Sequence, residues 1–171
     1  MKKYIPAFIL IALGVSARLL PHPANFAPIA AIALFSGLYL PKRLAIIVPA
    51  TALLLSDIVL GFYTWQVVVS VYACFALTGI MGLRLAKQKN FTTIALGTIL
   101  ASIIFFLVTN WAVWAFGTMY PHTTTGLMQS YIMALPFFRN SLLGDIFYTT
   151  VLVGSMELIQ KISLSKIKAA A

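Results

Sequence analysis

The sequence contains few side chains that could bind or transform a polar molecule. Its three acidic residues are Asp57, Asp145 and Glu157. Ten of its 12 basic residues lie in short clusters between apolar segments, whereas Arg18 and Arg139 stand apart from those clusters. Ionisable side chains within apolar segments are costly, and they usually pair with one another or face a cavity. These isolated charges are therefore the first candidates for a functional site.

Catalytic and nucleotide-binding motifs are absent from the sequence. It contains no GxSxG, HExxH, P-loop or GxGxxG motif, and its one cysteine excludes an intramolecular disulfide. Three scattered carboxylates are too few for a typical metal-dependent membrane hydrolase. We therefore expect a protein that is not an enzyme and has no intrinsic cofactor. Any transport it performs would draw energy from a gradient or a partner.

The composition predicts a membrane protein. Hydrophobic residues make up 61% of the 171 residues and charged residues only 9%, whereas about a quarter of the residues in a soluble domain are charged. Such a chain cannot solvate its own surface in water, so the lipid bilayer is its expected environment. We expect a single integral membrane domain over residues 1–171.

Apolar segments of the length that crosses a bilayer predict an all-α membrane fold with six transmembrane helices. The predicted spans are residues 4–20, 29–40, 44–60, 65–85, 92–116 and 141–159. The second is marginally short, so it would use part of the preceding loop or thin the bilayer locally. Residues 127–138 are too short to cross and contain Pro136. They predict a short interfacial or re-entrant helix before the last span.

The basic clusters predict the orientation of the chain. Six spans place ten cations on one side, and these are Lys2, Lys3, Lys42, Arg43, Arg84, Lys87, Lys89, Lys161, Lys166 and Lys168. Cytoplasmic loops are enriched in Lys and Arg, so both termini are expected in the cytoplasm. This topology explains the net charge of +9. No basic surface with interleaved aromatic residues remains for nucleic acid.

The other polar and aromatic residues of interest are expected near the outer face. They are Arg18, His22, Asn25, Asp57, Asn110, Trp111, Trp114, Tyr120, Arg139, Asn140 and Asp145. Two arginines and two aspartates at similar depth favour mutual pairing, for example Arg18 with Asp57. Arg139 would then pair with Asp145. This set predicts a polar recess with an aromatic rim that is open to the outside.

Simpler interpretations of these residues stay open. The arginines could extend along the bilayer to its interface, and the aspartates could be plain salt-bridge partners. Tryptophan and tyrosine are typical of the aromatic belt at a membrane surface, while His22, between two prolines, is typical of a loop. Cys74 lies midway along the fourth span, where a cysteine packs as a small hydrophobe or ligates a transition metal that arrives with a substrate.

Several motifs together resemble a known family. They are RLLPHP at 18–23, NFAPI at 25–29, LSD at 55–57 with LG at 60–61, FFLVTN at 105–110, and ALPFFRN at 134–140 with GD at 144–145. They resemble a family of small bacterial membrane proteins of poorly defined function, and the likeness spans nearly the whole chain. That family is similar to the substrate-binding S-components of energy-coupling factor vitamin transporters and to the solitary vitamin B12 transporters of Gram-negative bacteria.

The resemblance implies a six-helix protein of the bacterial inner membrane with a substrate cavity on its outer side. It implies uptake of a vitamin-like small molecule, with cobalamin as the first candidate ligand. Cys74 would then ligate the cobalt of cobalamin, and His22 would be a second polar contact. S-components that dock on a shared energising module usually carry Ala-x-x-x-Ala in the first helix. Here Ala12 is followed by Ser16, which favours a solitary transporter.

Two further functional classes remain as alternatives. The first is a membrane scaffold or assembly factor whose outer polar cluster binds another protein. The second is a small enzyme acting on lipid or thiol chemistry, which the missing catalytic spacing disfavours. For a transporter, the arginines and aspartates of the outer set would bind polar groups of the substrate, and Trp111, Trp114 and Tyr120 would stack on a flat ligand.

Overall fold

A computed structural model describes residues 4–170 of the chain, and this part consists of helices and short connections without strands. The helices are α1 (Ile5–Leu19), α2 (Ile29–Tyr39), α3 (Leu44–Leu60), α4 (Trp65–Leu85), α5 (Phe91–Phe116) and α6 (Thr124–Ala170), with a 3₁₀ turn at Ala86–Gln88. The predicted all-α fold is thus confirmed. Lys2 and Lys3 lie outside the described residues, as do the side chains of Lys166 and Lys168.

The short helix α2 forms the centre of the bundle. Ten of its 11 residues are buried, and it contacts each of the other five helices. At 1.5 Å per residue it is about 16 Å long, roughly half the thickness of the hydrocarbon core of a bilayer. Because other helices cover it on its sides, α2 is an interior helix rather than one that faces lipid.

Glycines allow the backbones of α2 and α4 to touch. A Cβ atom on Gly37 would overlap the carbonyl oxygen of Gly79, and one on Gly82 would overlap that of Leu34. Gly79 is packed equally closely against the carbonyl of Ala45 in α3. Small residues at a helix crossing permit this close approach, which membrane helices use to gain van der Waals contact. The crossing fixes the position of α2 within the bundle.

The outer surface of the bundle is apolar. Three helices of the described range are long and apolar enough to cross a membrane, namely Trp65–Gln88, Phe91–Phe116 and Thr124–Ser163, whereas α1, α2 and α3 are shorter. In the most apolar part of each long helix, only 17% to 28% of the residues are buried. Exposed apolar area on this scale does not persist in water. The structure is therefore compatible with a membrane protein.

The expected interfacial helix before the last span is wrong. Residues 127–138 and 141–159 belong to the single helix α6, which contains 47 residues and continues through Pro136. Proline removes one backbone hydrogen bond, but an apolar environment penalises every further unpaired backbone group, so the helix resumes at once. With a length of about 70 Å, α6 is more than twice as long as a hydrocarbon core is thick.

Gly37→Ala should destabilise the fold, because its methyl group has no space between the backbones of α2 and α4. Overpacking of this kind costs about 1–3 kcal/mol or more, so the melting temperature of the detergent-solubilised protein should fall. Gly154→Ala is the matched control, since its Cβ would meet no atom within 4 Å and alanine favours a helix over glycine. Equal melting temperatures for the two variants would contradict the close crossing.

Candidate functional site

A cavity of about 290 Å³ lies at the end of the bundle where α1 ends and α2 begins, and residues from all six helices line it. We call this end the cavity end. The polar lining residues are Arg18, Asn25, Thr109, Asn110, Ser141 and Asp145. The aromatic lining residues are Tyr63, Phe75, Phe105, Phe106, Phe137 and Phe138. The cavity therefore combines apolar aromatic walls with a small set of polar groups, as small-molecule sites commonly do.

Paired phenylalanines build the walls. Phe75 of α4 packs against Phe105 of α5 with ring centroids 5.1 Å apart. Phe106 of α5 packs against Phe138 of α6 at 4.7 Å. Tilted ring pairs at these separations are favourable beyond the area they bury. They also connect α4 to α5 and α5 to α6 beside the cavity.

The predicted pair of Arg18 and Asp57 is confirmed. Arg18 Nη1 lies 2.7 Å from Asp57 Oδ1, and the two side chains are 15% and 6% exposed. The contact is an ion pair rather than a directed hydrogen bond, because Nη1 donates its hydrogen bonds to Ser56 Oγ at 2.7 Å and to the Leu53 carbonyl at 3.4 Å. Tyr72 donates its hydroxyl to Asp57 Oδ2 at 2.9 Å. One polar network thus joins α1, α3 and α4.

Asp145 is the second buried acidic residue, and it lies in α6. It is 6% exposed, and Ser102 of α5 donates its hydroxyl to Asp145 Oδ2 at 2.7 Å. The expected pair of Arg139 with Asp145 is wrong: within the described residues Asp145 forms no ion pair, and Arg139 is exposed. Six helical residues separate their side chains by about 120° around the axis and 9 Å along it, so the two cannot meet.

Two of the three predicted asparagines line the cavity. Asn25 lines the cavity from a loop position with φ of 63°, a left-handed conformation that asparagine tolerates. Asn110 also lines it and donates to the Phe106 carbonyl at 2.8 Å. Asn140 instead donates to the Ala24 carbonyl at 3.0 Å. It is not a lining residue, and it ties the loop between α1 and α2 to α6.

Seven of the eleven predicted contact residues are outside the cavity lining. They are Asp57, Arg139 and Asn140, described above, and His22, Trp111, Trp114 and Tyr120. His22 is exposed, with Nδ1 2.7 Å from the carbonyl oxygen of Leu20. Trp111 is 47% exposed, and Trp114 donates to the carbonyl of Pro121 at 3.1 Å. These positions fit the interpretation of an aromatic belt around the cavity end better than a stacking role.

Cys74 is buried in α4 and is also outside the cavity lining. Its neighbours Val71 and Phe75, one turn before it and one residue after it, line the cavity instead. In the described part of the chain no three His, Cys, Asp or Glu side chains lie close enough together to hold a metal ion. The structure therefore places this cysteine as a small core residue.

Sequence reasoning missed the phenylalanine walls, Ser102 and Tyr72. A signal for part of the lining was present, because Ala134, Phe138, Ser141 and Asp145 recur at helical spacing along one face of α6. All four line the cavity. Ending the predicted short helix at residue 138 hides this periodicity, because Ala134 and Phe138 then belong to one segment and Ser141 and Asp145 to the next.

These features define an all-helical protein, compatible with a membrane environment, whose helices enclose an aromatic cavity with a buried ion pair and a buried carboxyl. The chain belongs to a family of unknown function, DUF6580, whose sequence profile matches residues 1–167. No curated protein matches the chain. No solved structure matches it.

Arg18→Met should unfold the cavity end more readily, because it leaves Asp57 buried without its counter-charge. Removing one partner of a buried pair costs about 3–5 kcal/mol, measured as a lower melting temperature in detergent. Adding Asp57→Leu should recover much of the loss. The matched control is Lys89→Met, whose pair with Glu157 spans 2.9 Å but is 28% and 50% exposed and should contribute about 0–1 kcal/mol. Equal losses in the two single variants would contradict this difference.

Proposed function

We propose that this protein is a multi-pass transport protein of the bacterial inner membrane that captures a vitamin-like small molecule in its cavity. The observation that carries the proposal is the cavity itself, which all six helices line and which combines aromatic walls with Arg18 and Asp145. Ionisable groups inside an apolar bundle are typical of substrate pathways. A scaffold has no need of a cavity that combines these groups.

The distribution of charge supports an outward-facing cavity. At the end of the bundle away from the cavity, Lys89 pairs with Glu157 at 2.9 Å, and its ammonium lies 4.2 Å from the ring centroid of Tyr39. These contacts bring the end of α2, the turn before α5 and the second half of α6 to one end of the bundle. Among the described residues, the basic clusters at 42–43 and 84–89 fall at this end, which the positive-inside rule assigns to the cytoplasm. Six spans would require the bilayer to thin around α1, α2 and α3.

The size of the cavity favours a small substrate. Its volume of about 290 Å³ is at the lower edge of the range of about 300–1,000 Å³ for small-molecule sites. A corrinoid is several times larger than the drug-sized ligands of such sites and would not fit without a large opening of the bundle. The cavity supports a compact, partly aromatic or apolar solute more strongly than it supports cobalamin.

Filling the cavity should abolish uptake. Ala134 is buried and lines the cavity, so Ala134→Phe inserts a ring into the substrate volume, whereas Leu135→Phe, on a residue that is 52% exposed, adds a ring to the outer surface. Proteoliposomes would be incubated with a mixture of vitamins and small metabolites, and the accumulated solutes would be measured by mass spectrometry. We expect a compact solute to accumulate with wild type and Leu135→Phe, and at least about tenfold less with Ala134→Phe.

Failure of every solute to accumulate or bind, together with a protein partner that co-purifies with both variants, would favour the scaffold alternative.

Cys74→Ala tests the cobalamin version of the proposal. Because Cys74 is not a lining residue, its substitution should leave uptake of the substrate within about twofold of wild type and cost about 1 kcal/mol of stability, as small truncations in a core do. A coloured, cobalt-containing preparation whose absorption spectrum changes in Cys74→Ala would instead identify a corrinoid as the ligand and the thiolate as its axial partner.

A further inference from the structure

The buried charges around the cavity do not balance. Asp57 and Asp145 are both buried carboxyls, but Arg18 is the single cation among the lining residues. Arg18 already pairs with Asp57 at 2.7 Å. Asp145 is left with a hydrogen bond from Ser102 and, among the residues that the structure describes, no ion-pair partner.

A buried carboxyl in this position either holds a proton or lies beside a compensating positive charge. Transfer of an unpaired charge from water to an apolar interior is strongly unfavourable, and one hydroxyl donor supplies only part of what water provided. Ionisable groups held in such surroundings within a cleft are candidates for functional sites. Asp145 lines the cavity, so a molecule in the cavity can reach it.

The walls next to Asp145 also suit a cation. Phe106 and Phe138 form a ring pair with centroids 4.7 Å apart, and both line the cavity with Asp145. The faces of aromatic rings attract ammonium groups, most strongly when water is excluded. Because Asp57 neutralises Arg18, the guanidinium does not oppose a positive ligand as an unpaired arginine would.

We propose that the cavity binds a small organic cation whose charged nitrogen pairs with Asp145 while its apolar body lies against the phenylalanine walls. This rests on the proposed function and specifies its substrate class. The ligand supplies the positive charge that the cavity lacks, and its size is limited by the volume of about 290 Å³. Ser102 holds the carboxyl in place and is a positioning residue.

Ligands with the same skeleton and a cationic, neutral or anionic end group test the proposal. The full chain in detergent would be titrated with an amine, an alcohol and a carboxylate on each of three skeletons, phenyl, indole and cyclohexyl, for example 2-phenylethylammonium, 2-phenylethanol and 3-phenylpropionate. Binding would be read by calorimetry and by the shift in melting temperature. The carboxylates test whether the cavity prefers an anion instead, since the backbone amides at the start of α2 would attract a negative charge.

We expect an amine to bind roughly ten- to a hundredfold more tightly than its alcohol, as a charge-assisted hydrogen bond implies. In Asp145→Asn that preference should disappear, and gel filtration would establish that the variant is folded. Glu157→Gln is the matched control, because it removes a carboxylate from the same helix outside the cavity, and the preference should persist.

The outcomes separate this inference from the proposed function. Equal or tighter binding of alcohols or carboxylates, or a preference that survives in Asp145→Asn, overturns the cation and leaves the transporter intact. If no ligand of any skeleton binds but Ala134→Phe still abolishes uptake, the cation proposal fails and the transport proposal stands. If Ala134→Phe has no effect on uptake either, both proposals fail.

Discussion

The shortness of α2 determines where a site can form. The other helices surround α2, and it is held against α4 at Gly37, Gly79 and Gly82. Its position along the bundle is therefore fixed, and it is too short to fill both ends. It begins at Ile29, and Ile29 and Ala30 form the floor of the cavity. The surrounding helices continue past this point, so a volume stays open above its first turn. The cavity is therefore a consequence of the same packing that brings α2 and α4 into close contact.

Helix positions were largely accessible from the sequence, whereas burial was not. The predicted ranges 44–60 and 65–85 coincide with α3 and α4, because Pro41, Gly61 and the polar turn after Leu85 interrupt apolar runs. A helix that faces lipid and a helix that faces protein have the same apolar composition, so nothing marked α2 as the centre. The continuity of α6 was missed because proline breaks helices in water more readily than in an apolar environment.

The same distinction applies to the site. Arg18, Asn110 and Asp145 were predicted and do line the cavity, because polar groups within apolar helices are costly unless they pair or face a cavity. Asn25 was also predicted, and it lines the cavity from the loop between α1 and α2. Trp111 and Trp114 were equally good candidates by residue type, but aromatic rings also suit the membrane surface. Phenylalanine is common throughout apolar helices and gives no sign of a cavity in the sequence, so the walls were identified only from the structure. Charge alone could not decide which aspartate Arg18 or Arg139 would reach, since that depends on helix phase.

Two polar connections divide the helices around the cavity into two groups. The network of Arg18, Asp57 and Tyr72 joins α1, α3 and α4, while the bond from Ser102 to Asp145 joins α5 and α6. In the first connection the charges of Arg18 and Asp57 offset each other, whereas in the second Asp145 receives only the hydrogen bond from Ser102. Arg18 and Asp145 both line the cavity. Under the proposed function, a cation that pairs with Asp145 and packs against Phe75 of α4 contacts both groups, so its binding free energy acts on their separation. A ligand can bias such an equilibrium only through its different affinity for the two arrangements. The cation bound to Asp145 would supply that difference if it contacts the first group more closely in one arrangement than in the other.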